Sequence, residues 1–189
     1  MKKILLLMMA AAMVAISSSA TKIYVCGTKI TGTTSFSAGG GTVSYNDVTR
    51  RLILTDVNYT KSGSSNNGIS VDEVSGELTI DFYGDNSFTI SDADAVLCKS
   101  GKATTISIAN NATAYFISKS SGHAGLKLQD GDVTITGNGT LTIRNENSST
   151  SARAIKGGSK TEKLYFDIHY CYSLSVGKKC FFSPFYLKK

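Results

Sequence analysis

Three kinds of short strand recur in a fixed order along this chain, and this repeat constrains the fold more than any other feature. Most of the strands read apolar-x-apolar, the period-two pattern of a strand that buries one face. The first kind begins at Gly68, Ala95, Gly125 and Ala154, at intervals of 27, 30 and 29 residues. Each interval is filled by three strands and three turns and leaves no room for a helix.

Strands of the second and third kinds lie between those of the first kind. The second kind comprises the triplets that begin at Leu52, Leu78, Ile106, Val133 and Leu164, and the third kind those that begin at Phe88, Tyr115, Leu141 and Leu174. Because like strands recur at similar offsets, we expect coils to stack at about 4.8 Å and like strands to form parallel sheets. The sequence therefore predicts an all-β fold, a short right-handed parallel β-helix of about five coils with three strands per coil. A β-sandwich or jelly roll is the alternative, since it also brings frequent turns.

The turns favour the β-helix over the β-sandwich. The four small residues that begin the first-kind strands would stack at one corner, where the chain has room for no more than a methyl group. The turns between the second and third strands are Gly84-Asp85-Asn86, Ala109-Asn110-Asn111 and Gly137-Asn138-Gly139. Gly and Asn tolerate left-handed backbone angles, and stacked Asn side chains can hydrogen-bond along a ladder.

The N-terminus predicts export. Lys2 and Lys3 precede an apolar run, Ile4–Ile16, and Ser18–Ala20 supplies the small residues that a signal peptidase reads. A membrane anchor is the weaker alternative, because a spanning helix needs about 20 apolar residues. We predict a signal peptide over residues 1–20, cleavage near Ala20, a mature chain without a membrane span, and a periplasmic, cell-surface or extracellular location.

The rest of the chain is divided by how well it fits the repeat. Because an open stack exposes strand edges at both ends, we expect an N-terminal cap over residues 21–40, the β-helix over 41–178, and a C-terminal tail or cap over 179–189. Four cysteines allow three disulfide pairings, and the sequence does not choose among them. The net charge of +6 includes two lysines of the signal peptide, so the mature chain is only mildly basic. That charge is compatible with acidic polysaccharide, and we predict no nucleic-acid partner.

Several segments resemble a family of exported bacterial β-helix proteins described as carbohydrate-binding-domain-containing. They are the runs 41–45, 51–57, 67–71, 77–80 with 84–86, and 136–143, of which the last reads Thr-Gly-Asn-Gly-Thr-Leu-Thr-Ile. That family is distantly similar to the pectate-lyase-type right-handed parallel β-helices, and some of its relatives bind acidic plant polysaccharide with calcium. The resemblance implies the fold and a carbohydrate ligand, and it transfers no binding residue to this chain.

Two pairs of aspartates are candidates for holding calcium or for acid-base chemistry. Asp92 and Asp94 are spaced so that both side chains could share one strand face, as are Asp130 and Asp132. The two pairs precede strands of different kinds and should not stack into one site. Asp92 and Asp94 are the calcium candidates, and calcium is the one cofactor that the sequence suggests. Solvated turn aspartates are the simpler interpretation.

A basic strip is the main candidate for ligand binding. Alignment of the first-kind strands places Lys127 beside Lys156 in one outward column, with Arg153 and Lys99 close by. Like charges at about 5 Å repel modestly in water, and a polyanion along the stack would relieve that repulsion. An ordinary soluble surface with lysines that protect strand edges is the competing interpretation.

Two tyrosines complete the candidate residues, because aromatic rings can stack on sugars. They are Tyr83 and Tyr165. The sequence thus predicts a secreted module that binds acidic polysaccharide or another cell-surface glycan. A structural or adhesin-like surface protein is the first alternative and a calcium-dependent polysaccharide lyase the second. Because no acid-base constellation or nucleophile motif appears, we do not expect an enzyme, and the sequence assigns no catalytic residue.

Overall fold

The protein is an all-β parallel β-solenoid, which confirms the predicted short parallel β-helix, and it has about four turns where the sequence predicts about five coils. The computed structural model describes residues 21–63, 66–157, 164–167 and 186–187, and for the last two segments it describes the backbone alone. The predicted signal peptide, and most of the predicted C-terminal region, lie outside these residues. The strands form three sheets, named A, B and C here, and each corresponds to one of the three kinds of strand in the sequence.

Each sheet is given from its N-terminal end. Sheet A holds β2 (Thr28–Ile30), β1 (Lys22–Val25), β7 (Ile69–Glu73), β10 (Val96–Cys98), β13 (Ala124–Leu128) and β16 (Arg153–Lys156). Sheet B holds β3 (Thr34–Ala38), β4 (Gly41–Asn46), β5 (Arg51–Thr55), β8 (Leu78–Tyr83), β11 (Thr104–Ile108), β14 (Val133–Gly137), β17 (Leu164–Asp167) and β18 (Tyr186–Leu187). Sheet C holds β6 (Asn58–Lys61), β9 (Asp85–Ile90), β12 (Thr113–Ser118) and β15 (Thr140–Asn145).

From β5 onward each coil runs through sheets B, C and A in turn, and like strands of successive coils pair in parallel. The N-terminal end is built differently. Strand β1 pairs antiparallel with both β2 and β7, and β4 pairs antiparallel with both β3 and β5. Two antiparallel ribbons therefore extend sheets A and B beyond the first parallel coil. They include β4, which the sequence analysis assigned to the β-helix.

The space between the three sheets is filled by inward-facing apolar side chains. Three aromatic rings lie at its centre, with Phe82 and Phe116 at a centroid distance of 5.5 Å and Phe88 at 6.3–6.4 Å from both. Offset and edge-on contacts at these distances are favourable beyond the area that they bury. Full burial of one such side chain contributes about 1.5–3 kcal/mol.

The register of sheet A agrees with the sequence alignment. Val96 lies beside Ile69 and Leu126, and Lys127 lies beside Lys156. The small residues at the start of these strands stack as predicted. A Cβ added to Gly125 would come within 2.5 Å of the Phe116 carbonyl oxygen, which explains why this corner accepts only small residues.

In sheet B two of the predicted triplets are shifted by two residues. Thr104, and not Ile106, lies beside Leu78 and Val133. Leu52 likewise lies beside Ile80. Because the shift is even, every apolar residue of these triplets still faces inward. The sequence alignment missed the shift because a threonine occupies an inward position in β11.

In sheet C the predicted inward face of β12 is wrong by one residue. Phe116 lies beside Phe88 and Ile143 and is fully buried, whereas Tyr115 faces outward and is 37% exposed. Three consecutive apolar residues carry no period-two signal. The inward positions on either side of Phe116 are Ala114 and Ser118, which a search for large apolar residues passes over.

The predicted ladder of stacked Asn side chains does not form at the corner between sheets B and C. Asn86 lies beside Ala114, which has no amide to stack on. Its Oδ1 instead accepts the Val57 N–H at 3.0 Å, and its Nδ2 donates to the Tyr83 carbonyl at 2.9 Å. The left-handed turn geometry is present, with φ of 65° at Gly84.

Candidate binding face on sheet A

The outer face of sheet A carries one continuous column of side chains along the stack. Strand register places these residues side by side in the order Tyr24, Ser70, Leu97, Lys127 and Lys156. They lie on the outer side of the sheet because their neighbours in each strand, such as Ile69 and Val71, point into the core, although Ser70 and Leu97 are themselves only 5% and 7% exposed. The column thus begins in the N-terminal ribbon and ends at the last described coil.

Lys127 and Lys156 are adjacent in this column, as the sequence predicted. The Lys127 Nζ lies 3.7 Å from Asp94 Oδ2, and its side chain is 25% exposed. The Lys156 Nζ donates to the Gly122 carbonyl at 3.3 Å. Both ammonium groups therefore lean toward the corner that precedes β13, and adjacent strands are about 4.8 Å apart there.

The two aspartates proposed for calcium serve different neighbours. The Asp92 Oδ2 accepts the Gly63 N–H at 2.8 Å, in the coil before its own. The Asp94 Oδ1 accepts the Ala124 N–H at 2.7 Å, in the coil after its own. Asp94 is buried, and its oxygens also face Lys127 and His123, whose Nδ1 lies 3.5 Å away.

Calcium binding at this pair stays a prediction. Within residues 21–63 and 66–157 no group of three or more His, Cys, Asp or Glu side chains is arranged to hold a metal ion. Asp130 and Asp132 flank the turn before β14, away from Asp94, and both make interactions of their own.

The other two predicted cations, Lys99 and Arg153, lie near the column, and each contacts oxygen atoms of the protein. The Lys99 Nζ lies 3.2 Å from Asp72 Oδ1, just beyond the end of β10. The Arg153 Nη1 donates to the Thr150 carbonyl at 2.7 Å and to the Ala152 carbonyl at 2.9 Å. The guanidinium of Arg153 is thus held against its own loop, whereas Lys99 lies on the outer face of sheet A.

The two predicted tyrosines are not on this face. Tyr83 ends β8 in sheet B and is 42% exposed. It lies near Arg51, whose guanidinium contacts Asp81 Oδ2 at 2.9 Å, and this carboxylate raises the pKa of Arg51. Tyr165 belongs to β17 in the same sheet, and its side chain lies outside the described residues.

A polar groove lies where the column meets the N-terminal ribbon, and the sequence analysis did not find it. Its volume is about 270 Å³, and it is lined by Tyr24, Gly27, Asn66, Asn67, Ser70, Asp72 and Lys99. Only Lys99 was a candidate residue. The groove escaped detection because β1 pairs antiparallel with β7, and the repeat contains no signal for that pairing. The alternation of Lys22, Ile23, Tyr24 and Val25 is the one local sign that Tyr24 faces outward.

The outer face of sheet B has a different character. Hydroxyl side chains form two columns there, one of Thr79, Thr105 and Thr134 and one that includes Ser35, Ser44, Ser107 and Thr136. Ile53 and Asp81 interrupt the second column. Arg51 precedes Thr79 in the first column, and the second column continues into the N-terminal ribbon through Ser44 and Ser35.

Cys26 and Cys98 are free thiols. Burial raises the pKa of each to about 12, so neither is a reactive thiolate at neutral pH. Cys171 and Cys180 lie outside the described residues, and their pairing stays open.

The part of the chain that the structure describes contains no helix long and apolar enough to cross a membrane. Comparison of the chain with protein-family models, with curated proteins and with solved structures finds no match. The resemblance to exported carbohydrate-binding β-helix proteins therefore remains an expectation, carried by the strand and turn motifs alone.

Proposed function

We propose that this protein is an exported binding module for acidic polysaccharide, and that the polymer lies along the outer face of sheet A. The observation that carries the proposal is the register of Lys127 with Lys156 in one outward column. Lys99 contacts Asp72, Lys127 contacts Asp94 and the Lys156 ammonium contacts the Gly122 carbonyl, so these three lysines outnumber the two carboxylates that they contact.

The arrangement suits an extended anion better than a small one. Lys127 and Lys156 lie on adjacent strands, which are about 4.8 Å apart, and Lys99 lies just beyond the end of the strand before them, so a polymer along the stack can contact one coil after another. Each exposed contact is weak in water, about 1 kcal/mol at 4 Å, and screened by salt. Useful affinity would therefore come from several contacts made together, as expected for a polyanion.

The direct test is retention on immobilised polygalacturonate. At low salt we expect the wild-type protein to be retained. The variant that combines Lys127→Glu with Lys156→Glu should not be retained. Lys61→Glu combined with Lys119→Glu, a pair at sheet C, makes the same charge change elsewhere and should leave most retention intact. Because a glutamate at 127 would face Asp94, Lys127→Gln with Lys156→Gln is the milder variant, and circular dichroism confirms folding.

Two results would overturn the proposal. One is unchanged retention of a folded Lys127 and Lys156 variant. The other is an equal loss of retention in the variant that combines Lys61→Glu with Lys119→Glu, which would mean that net charge alone drives retention. The export part of the proposal is tested separately by mass spectrometry of the secreted protein, which should begin at Thr21.

A structural or adhesin-like role is the second candidate, and one observation favours it. The hydroxyl columns of sheet B give that face a surface rich in Thr and Ser. Replacement of Thr105 and Thr134 by glutamine, which adds bulk without charge, would disrupt adhesion through this face while leaving polysaccharide retention unchanged. An assay for unsaturated uronate products, with and without calcium, tests the lyase alternative in the same samples.

A further inference from the structure

We infer that the polar groove beside Tyr24 is a subsite for a single uronic acid residue, with the sugar carboxylate at Lys99 and the ring against Tyr24. This inference rests on the proposed function, because the groove lies at the N-terminal end of the same outward column. It assigns a ligand class to Tyr24 and the other lining residues, of which only Lys99 belongs to the basic strip.

The size of the groove suits one sugar residue. At about 270 Å³ it lies just below the range of about 300–1,000 Å³ that accommodates drug-sized ligands. An oligosaccharide would have to extend out of it. It would then pass over the buried residues Ser70 and Leu97 and reach Lys127 and Lys156 on the next strands of the column.

The charges in the groove favour an acidic sugar over a neutral one. Asp72 is shared by two ammonium groups, with the Lys99 Nζ at 3.2 Å from Oδ1 and the Lys22 Nζ at 3.9 Å from Oδ2. Ser70 Oγ also donates to Asp72 Oδ1, at 2.5 Å. Lys99 lines the groove and Lys22 lies beside it, so two cations share the one carboxylate there, and a second carboxylate from the ligand would balance them. Hydrogen bonds between an ammonium and a carboxylate are stronger than neutral ones.

The remaining lining residues supply the contacts that a sugar ring requires. Tyr24 is half-buried and combines an apolar ring with a polar hydroxyl, which suits a ring that has apolar and polar faces. Asn67 is fixed by its Oδ1, which accepts the Asp94 N–H at 3.0 Å. That bond connects the wall of the groove to the same aspartate that contacts Lys127, so the groove and the strip are joined through Asp94.

Titration of the purified protein with D-galacturonic acid, followed by two-dimensional amide NMR, tests this inference. We expect shifts at residues 24, 70 and 99 in the wild-type protein, and binding weakened about tenfold or more in Tyr24→Ala and in Lys99→Gln. Tyr115→Ala and Lys61→Gln, which alter sheet C, are the matched controls and should bind like wild type. D-galactose should bind at least about tenfold more weakly than the acid.

The subsite is excluded if galacturonic acid shifts no groove resonance, if Tyr24→Ala binds as tightly as wild type, or if galactose binds equally well. Polygalacturonate retention separates this failure from that of the proposed function. Retention that depends on Lys127 and Lys156 but not on Tyr24 or Lys99 would remove the subsite and leave the binding face. Retention that depends neither on Lys127 and Lys156 nor on Tyr24 and Lys99 would exclude both the binding face and the subsite.

Discussion

The Asp94 carboxylate accepts the backbone N–H of Ala124 at 2.7 Å, across the boundary between two coils. The backbone N–H of Asp94 in turn donates to Asn67 Oδ1 in the coil before. One buried aspartate thus connects three consecutive coils at the corner that leads into sheet A. Lys127, the first lysine of the proposed binding strip, contacts the same carboxylate.

Replacement of Asp94 by alanine should destabilise the protein by about 3 kcal/mol. The substitution leaves the Ala124 N–H without its acceptor and removes a charged partner from Lys127, and hydrogen bonds to buried charged groups have values of this order. Urea unfolding followed by circular dichroism measures the change. Asp92→Ala is the control, because Asp92 is exposed, and its loss should cost less than about 1 kcal/mol. Equal costs would show that Asp94 has no special part in joining the coils.

The register of sheet C gives a second prediction. Phe116→Ala should lower the free energy of unfolding by about 3–5 kcal/mol, because the ring is fully buried against Phe82 and Phe88. Tyr115→Ala should cost less than about 1 kcal/mol, since that side chain faces solvent. The sequence-based register makes the opposite prediction, so the order of the two unfolding midpoints distinguishes the registers.

Sheet A could be predicted to the residue because its strands combine small residues at a fixed corner with apolar residues at fixed offsets. Sheets B and C could not. An inward threonine at position 104 and an inward alanine at 114 break the apolar pattern on which the alignment depended. The number of strands per coil and their parallel pairing were still correct, because they follow from the repeat length and not from individual residues.

The site was predicted only in part, and the reason is long-range pairing. Lys127 and Lys156 belong to consecutive repeats, so the repeat itself places them side by side. Tyr24 reaches the same face through an antiparallel pairing with β7, about 46 residues away in the chain, which no local pattern encodes. Tyr83 is a candidate only because its ring could stack on a sugar, and it ends β8 in sheet B, away from the lysine column.

The small-residue corner gives a third prediction. Gly125→Ala should destabilise the protein by about 2 kcal/mol or more, because its Cβ would lie 2.5 Å from the Phe116 carbonyl oxygen and 2.9 Å from that of Arg144. Such close contacts with backbone atoms can be relieved only if the coil moves. Gly122→Ala, in an open turn with no atom within 4 Å, should change stability by less than about 0.5 kcal/mol. Thermal unfolding of both variants checks this, and similar melting temperatures would mean that the corner tolerates a methyl group.

Burial of Cys98 predicts a loss of stability at alkaline pH. Folding raises the pKa of this thiol from 9.0 to about 12, because the surroundings of the side chain disfavour the thiolate. Below pH 9 the thiol keeps its proton in both states, and its contribution to stability is complete. Between pH 9 and 12 the unfolded chain releases the proton while the folded chain keeps it, so the free energy of unfolding falls by up to about 1.4 kcal/mol per pH unit.

Urea unfolding of the wild-type protein and of Cys98→Ala between pH 7 and 10.5 isolates this contribution. Burial also raises the pKa values of Cys26, Tyr45 and Tyr59, and these groups contribute equally in both proteins. The stability difference between the two proteins should therefore be constant up to about pH 9 and shrink above it, because only the wild type carries the additional slope. Parallel curves over the whole range would show that the Cys98 thiol titrates in the folded protein as it does in the unfolded chain.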